Sequence, residues 1–203
     1  MASPRVLIFG GNGGIGRLIA KSMLMKTWHV TSVIRDPRQE ADILQLGPRR
    51  GPKADVLVVD LILMKDEDAS KDCYDYATNT FTKLPYCSSG NMSNVKAVDR
   101  DAAKEIITAS VTSPEVTKFL MISSPASRRK KAPWWDNTDY QNFLNETIAY
   151  PEIVEAKLSA DEYLVAMAKQ RNDDGPDSFQ AISLYHLVPS NPNKSKSLIT
   201  SER

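Results

Sequence analysis

The sequence predicts an α/β protein on a doubly wound, mostly parallel sheet, and three observations carry that expectation. First, Val6-Leu7-Ile8-Phe9 runs into Gly10-Gly11-Asn12-Gly13-Gly14-Ile15-Gly16 and then a helical pattern, as in a buried strand that turns sharply into a helix. Second, the run His29 to Ile34 follows one helix length later and closes a strand–helix–strand unit of about 30 residues. Third, apolar runs at Asp55 to Asp60, Lys118 to Ser123 and Phe179 to Leu184 alternate with helical patterns, which sets the strands parallel with helices on both faces.

The first turn carries the chemistry. Gly11-x-Gly13-x-x-Gly16 fits the dinucleotide-binding fingerprint, and Gly10-x-x-Gly13-x-x-Gly16 fits its variant register. In either register glycines permit the turn, let backbone approach a pyrophosphate, and let the helix pack close to the strand. The free N–H groups at the helix start, with the positive end of its dipole, then hold phosphates. Gly10, Gly11, Asn12, Gly13, Gly14, Ile15 and Gly16 are therefore candidate cofactor-binding residues. Ile15, Leu18, Ile19 and Met23 share the helical face expected to turn inward.

Strand two ends in Arg35-Asp36-Pro37, about 20 residues past the glycines, where the adenosine ribose is read. An acidic residue there would accept from the ribose hydroxyls and select NAD. Arg35 offers a guanidinium fork suited to a 2′-phosphate, so NADP is favoured over NAD, with Asp36 as the alternative reader in a shifted register. Arg38 is a second candidate phosphate contact. Asp42 to Gly47 reads as a short helix and Gly47 to Pro52 as a loop. Asp60 closes strand three, where it lines an adenine pocket or caps the next segment. Lys65 to Asp75 reads as an exposed helix, and Tyr86 to Asn91 as the end of a fourth strand and its cofactor-facing loop.

Val95, Val98, Ala102, Ile106 and Ala109 form a helical stripe before strand five, which ends in Ser123-Ser124. Arg128 to Lys131 is a basic cluster of the kind solvated loops carry. Trp134 and Trp135 cap the core or wall a flat aromatic substrate, the first reading being preferred. Ile153 to Lys169 is an amphipathic helix with Val154, Leu158, Val165 and the Ala160-Leu164-Met167 row for packing. Residues 1–187 are expected to form one domain, and 188–203 a polar, Pro/Ser-rich, partly disordered tail.

Composition narrows the function classes. A net charge of +1 over 203 residues gives no electrostatic case for nucleic acid or an acidic membrane surface. Cys73 and Cys87 are too few for a disulfide framework and lack metal-ligand spacing, so no metal is expected. No apolar run approaches a membrane span and no secretory pattern opens the chain, so a cytoplasmic protein is expected.

The glycine turn, Val30 to Pro37 and Lys118 to Ser123 together resemble the atypical short-chain dehydrogenase/reductases, and within them the NAD(P)H-binding, NmrA-like group of small fungal proteins. Val98 to Lys104, Ala132 to Trp135 and Ala156 to Leu164 support the narrower match, over roughly residues 5 to 60 and 95 to 184. The resemblance implies a Rossmann-like fold, NADP(H) binding, and reduction of small carbonyl, quinone or flavin-like compounds. In the wider family a Tyr-x-x-x-Lys pair and a strand-end serine handle the proton. Ser123 or Ser124 matches the serine and Lys157 the lysine, but Ile153 stands where the tyrosine should be. Tyr150 lies two turns before Lys157, and Pro151 reads as a helix start there. The family's Arg-Pro-Gly after strand six is replaced by Tyr185-His186-Leu187, so an altered middle and a truncated C-terminal substrate region are expected; His186 reads as incidental. The leading expectation is an NADP-dependent oxidoreductase on a small molecule. The alternative is a non-catalytic NADP-binding redox sensor that signals to a protein partner.

Overall fold

Among the residues that the computed structural model describes (3–47, 51, 54–61, 83–86, 95–175, 179–185 and 199–200), seven strands form one sheet. Strands β1 (Arg5–Phe9), β2 (His29–Ile34), β3 (Ala54–Val58), β4 (Lys83–Tyr86), β5 (Lys118–Ser123) and β6 (Gln180–Tyr185) are parallel. The short strand β7 (Ile199–Thr200) pairs antiparallel with β6. The order is β3-β2-β1-β4-β5-β6-β7, so the chain reverses its direction of travel between β1 and β4. In open α/β sheets that reversal opens a crevice at the carboxyl ends of the strands, where ligands bind.

Among the described residues, five α-helices accompany the sheet: α1 (Gly14–Met25), α2 (Glu40–Leu44), α3 (Ala103–Thr112), α4 (Asn137–Ala149) and α5 (Pro151–Asp174). β1 shows why they divide between two faces. Its side chains alternate, so Val6 and Ile8 join Ala20 and Leu24 of α1 and Ile43 of α2. Leu7 and Phe9 join Ile106 and Ile107 of α3 and Ala160 and Leu164 of α5 on the other side. A strand buried on both faces must be apolar throughout, as this one is after Arg5. Each such side chain contributes roughly 1.5–3 kcal/mol of burial.

Several expectations are corrected. α1 is rotated from the stripe read in the sequence: Gly16, Ala20 and Leu24 are buried, whereas Ile15 is 42% and Leu18 67% exposed. The cause is Gly16, whose close approach to the turn fixes that face inward and carries positions four apart with it. α2 starts earlier than expected, behind a 3-10 turn at Pro37–Gln39 capped by the Asp36 side chain. β3 ends at Val58, although the Val59 N–H still donates to Ile34 O at 2.8 Å, leaving Asp60 beyond the strand. α4 has no counterpart in the sequence reading. It is fixed by a capping box, in which Asp136 Oδ1 accepts from the Asp139 N–H at 2.9 Å and Asp139 Oδ2 from the Asp136 N–H at 3.2 Å. It buries no residue fully, which explains its missing apolar stripe. α5 opens with Pro151 in its first turn and continues to Asp174; Val165 is exposed, while Val154, Ala160 and Leu164 are buried. The Val95-to-Ala109 stripe is helical, but Lys96–Ala102 winds as a π-helix, a form that recurs at functional sites.

The readings of 65–75, of 87–91, of Cys73 and His186, and of 188–198 and 201–203 lie outside the described residues. No helix among the described residues is long and apolar enough to cross a membrane.

Candidate functional site

The glycine turn lies at the carboxyl end of β1, beside the reversal point. Gly10 adopts φ 70°, a left-handed conformation that favours glycine. A Cβ on Gly11 would stand 2.4 Å from Ser32 Cβ of β2, and one on Gly16 would stand 2.6 Å from Gly10 O. The turn is held from inside by the Gly11 N–H, which donates to Val33 O at 3.0 Å, and by the Gly13 N–H to Gly10 O at 3.0 Å. Its outer side is open: a Cβ on Gly14 would meet nothing within 4 Å. Gly13, Gly14 and Ile15 are exposed, no side chain caps α1, and no acidic residue stands in its first turn. The first N–H groups of a helix have no intrahelical acceptor, so this start offers donors and a positive dipole end. These residues fit a dinucleotide pyrophosphate. Asn12 steadies the turn, its Oδ1 accepting from Arg17 at 3.2 Å, while Arg17 also reaches Asp42 of α2 at 3.5 Å.

At the end of β2, Arg35 is exposed and makes no hydrogen bond or ion pair among the described residues. Asp36 is engaged. Its carboxylate receives the Arg38 Nη2 at 2.6 Å, the Arg38 Nε at 2.9 and 3.0 Å, and the Arg38 N–H at 3.0 Å. The hydrogen bonds from Arg38 hold the Asp36 carboxyl down at about 2. Asp36 and Arg38 thus occupy each other and Arg35 is left outward. Asp60 is half-buried past β3 and has its own partner.

At the other end of the crevice the polar groups are tied to one another. Ser123, at the tip of β5, hydrogen-bonds the Asp161 carboxylate and lies 3.1 Å from Ser127 Oγ. Ser124 Oγ donates to Glu146 of α4 at 2.8 Å and accepts from the Ala126 N–H at 3.2 Å. Lys157 Nζ on α5 donates to Asp99 of the π-helix at 3.4 Å, with both groups largely buried. Ser123, Ser124 and Lys157 therefore sit in adjoining networks. Asp99, Glu146 and Asp161 were missed in the sequence. Lys157 and Asp161 stand one turn apart on α5, a spacing that could have drawn attention to the aspartate.

The loop between β5 and α4 splits the tryptophan pair. Trp135 is 7% exposed with its ring centroid 5.3 Å from that of Phe143, while Trp134 is 49% exposed. The Arg128 guanidinium lies 5.3 Å from the Trp134 ring centroid and 5.8 Å from that of Trp135. Arg129 donates through Nη2 to Glu162 at 2.7 Å, and Lys131 lies over Tyr140 at 5.1 Å. Arg129, Lys130 and Lys131 of the basic cluster are exposed, as a solvated loop implies, while Arg128 is half-buried beside the tryptophans. A cavity of about 350 Å³ lies elsewhere, between the carboxyl ends of α3 and α5, lined by Val111, Pro114, Met167 and Arg171. Helices returning from parallel strands end at the opposite edge from the crevice, so this cavity belongs to no part of the site. Among the described residues no group of three or more His, Cys, Asp or Glu could hold a metal ion.

A family model described as NAD(P)H-binding matches residues 10–174. The chain belongs to this NAD(P)H-binding family. The fold of this chain recurs in solved structures of low sequence identity. Vestitone reductase from alfalfa is 21% identical with a TM-score of 0.60, over 88% of this chain and 55% of that one. Yeast methylglyoxal/isovaleraldehyde reductase Gre2, complexed with NADPH, is 15% identical with a TM-score of 0.62, over 88% of this chain and 56% of that one. A short-chain dehydrogenase/reductase from Vibrio parahaemolyticus is 10% identical with a TM-score of 0.65, over 89% of this chain and 83% of that one. The chain thus spans little more than half the length of the two named reductases. No curated protein matches it.

Proposed function

We propose that this protein is an NADP-dependent reductase of a small carbonyl, quinone or flavin-like compound, of the NmrA-like type. The open, uncapped and acid-free start of α1 beside a closely packed glycine turn carries this reading, in a chain of an NAD(P)H-binding family. Arg35 supports the choice of NADP, since it alone of the three charged groups after β2 makes no hydrogen bond or ion pair among the described residues. A bound reduced nicotinamide would supply the hydride. Ser123 or Ser124 would orient the acceptor oxygen, and Lys157, steadied by Asp99, would contact the nicotinamide ribose. NADPH oxidation measured against a panel of aldehydes, quinones and flavins tests the reading: turnover of one class is expected, and NADPH binding without turnover of any would overturn it.

A second reading, a non-catalytic NADP-binding redox sensor acting on a protein partner, is favoured by one observation. Ile153 replaces the proton-donating tyrosine, and Ser123, Ser124 and Lys157 are already bonded internally. Binding without turnover is its signature.

A further inference from the structure

Two carboxylates are deeply buried among the described residues, Asp99 and Asp161, and they are satisfied differently. Asp99 faces a cation, Lys157. Asp161, 5% exposed, is held by hydroxyls: Ser123 from β5, and Ser183 from β6, whose Oγ donates at 2.9 Å. Its charged surroundings are Lys157, one turn earlier on α5 and committed to Asp99, and Arg128 from the β5–α4 loop, over the tryptophans. Burial disfavours the carboxylate, while the two serine bonds, Lys157 and Arg128 favour it; the balance sets the group at about 6. A carboxyl with that balance exchanges its proton near neutrality, and it is bonded to the strand-end serine in a chain that lacks the usual donor.

We propose that Asp161 is a positioning residue that holds the proton Ser123 passes to the substrate's carbonyl oxygen, a role that rests on the reductase reading above. As hydride from the reduced nicotinamide arrives at the carbonyl carbon, the C=O π pair moves to oxygen. Ser123 gives that oxygen its hydroxyl proton and takes the proton of the Asp161 carboxylic acid. The product is the alcohol, Ser123 is unchanged, and the Asp161 carboxylate is reprotonated from water.

The test uses Asp161→Asn, Asp161→Glu and Ser123→Ala in the full chain. Without nucleotide, the infrared band of a protonated carboxyl should titrate with a midpoint of about 6, vanish in Asp161→Asn, and shift its midpoint upward in Ser123→Ala, which loses a bond to the carboxylate. With NADPH and a compound that the wild type reduces, kcat should fall about tenfold per pH unit above that midpoint. Asp161→Asn should lose roughly 100-fold in kcat together with the pH limb, leave the KM for NADPH unchanged, and recover the limb in Asp161→Glu. Where Asp161→Asn does not fold, Ser123→Ala carries the same test with the buried acid intact. An unmoved midpoint in Ser123→Ala, or turnover with an unaltered pH limb in Asp161→Asn, overturns this inference alone. NADPH binding with no turnover of any compound overturns the reductase reading and this inference with it.

Discussion

The two halves of the sheet's carboxyl edge treat their polar groups in opposite ways. Around β1 and β2, apart from the mutually bonded Asp36 and Arg38, they point outward: the start of α1 is uncapped, Gly14 faces open space, and Arg35 makes no hydrogen bond or ion pair among the described residues. Around β5 and α5 they are closed on one another, as Ser123 with Asp161, Ser124 with Glu146 and Lys157 with Asp99. The first half is closely packed backbone that leaves donors free, which is what anion binding needs. The second is a set of mutually bonded side chains, which stores and orders protons and ties helices to strands.

The contrast can be broken most severely from inside the glycine turn. Gly11→Val drives a side chain into Ser32 and should lose more than about 3 kcal/mol of stability in urea unfolding, together with nucleotide binding. The tryptophan pair sharpens it on the other half: Trp135→Ala should cost about 3 kcal/mol and its exposed neighbour, Trp134→Ala, less than about 1. Asp161 gives a test by pH. Its carboxyl rises from 3.8 to about 6 on folding, so the folded state favours the proton. The stability it contributes is present in full below its unfolded value and is lost as pH rises through its folded one, by on the order of 3 kcal/mol. The difference in stability between wild type and Asp161→Asn should follow that window; a difference independent of pH would remove the buried acid from the account. Smallest is Gly14→Ala, which meets no atom and should stabilise α1 by up to about 1 kcal/mol, because alanine is the better helix former.

The same contrast explains what the sequence disclosed. The backbone-driven half is local: β1, its glycines and β2 with Arg35 lie within one strand–helix–strand unit, and spacing alone marks them. β5 was equally plain, as an apolar run with both ends intact. The side-chain half joins residues far apart in the chain, such as Ser123 with Asp161 and Lys157 with Asp99, 38 and 58 positions apart. No periodicity marks those pairs. α4 carries no apolar stripe because it buries nothing fully and is fixed by its cap, and the apolar stripe on α1 misleads because a glycine, Gly16, sets the inward face. Apolar periodicity sees large side chains, and here a missing one decides the packing.

Nucleotide binding at the open half underlies every other role assigned to this protein. Calorimetric titration of NADPH and NADH into the wild type and Arg35→Ala tests it directly. NADPH should bind about 10- to 100-fold more tightly than NADH, as expected of charge-assisted hydrogen bonds worth roughly 1.5–3 kcal/mol, and Arg35→Ala should erase the preference while NADH binding is kept. Failure of the wild type to bind either nucleotide would contradict the account at its root.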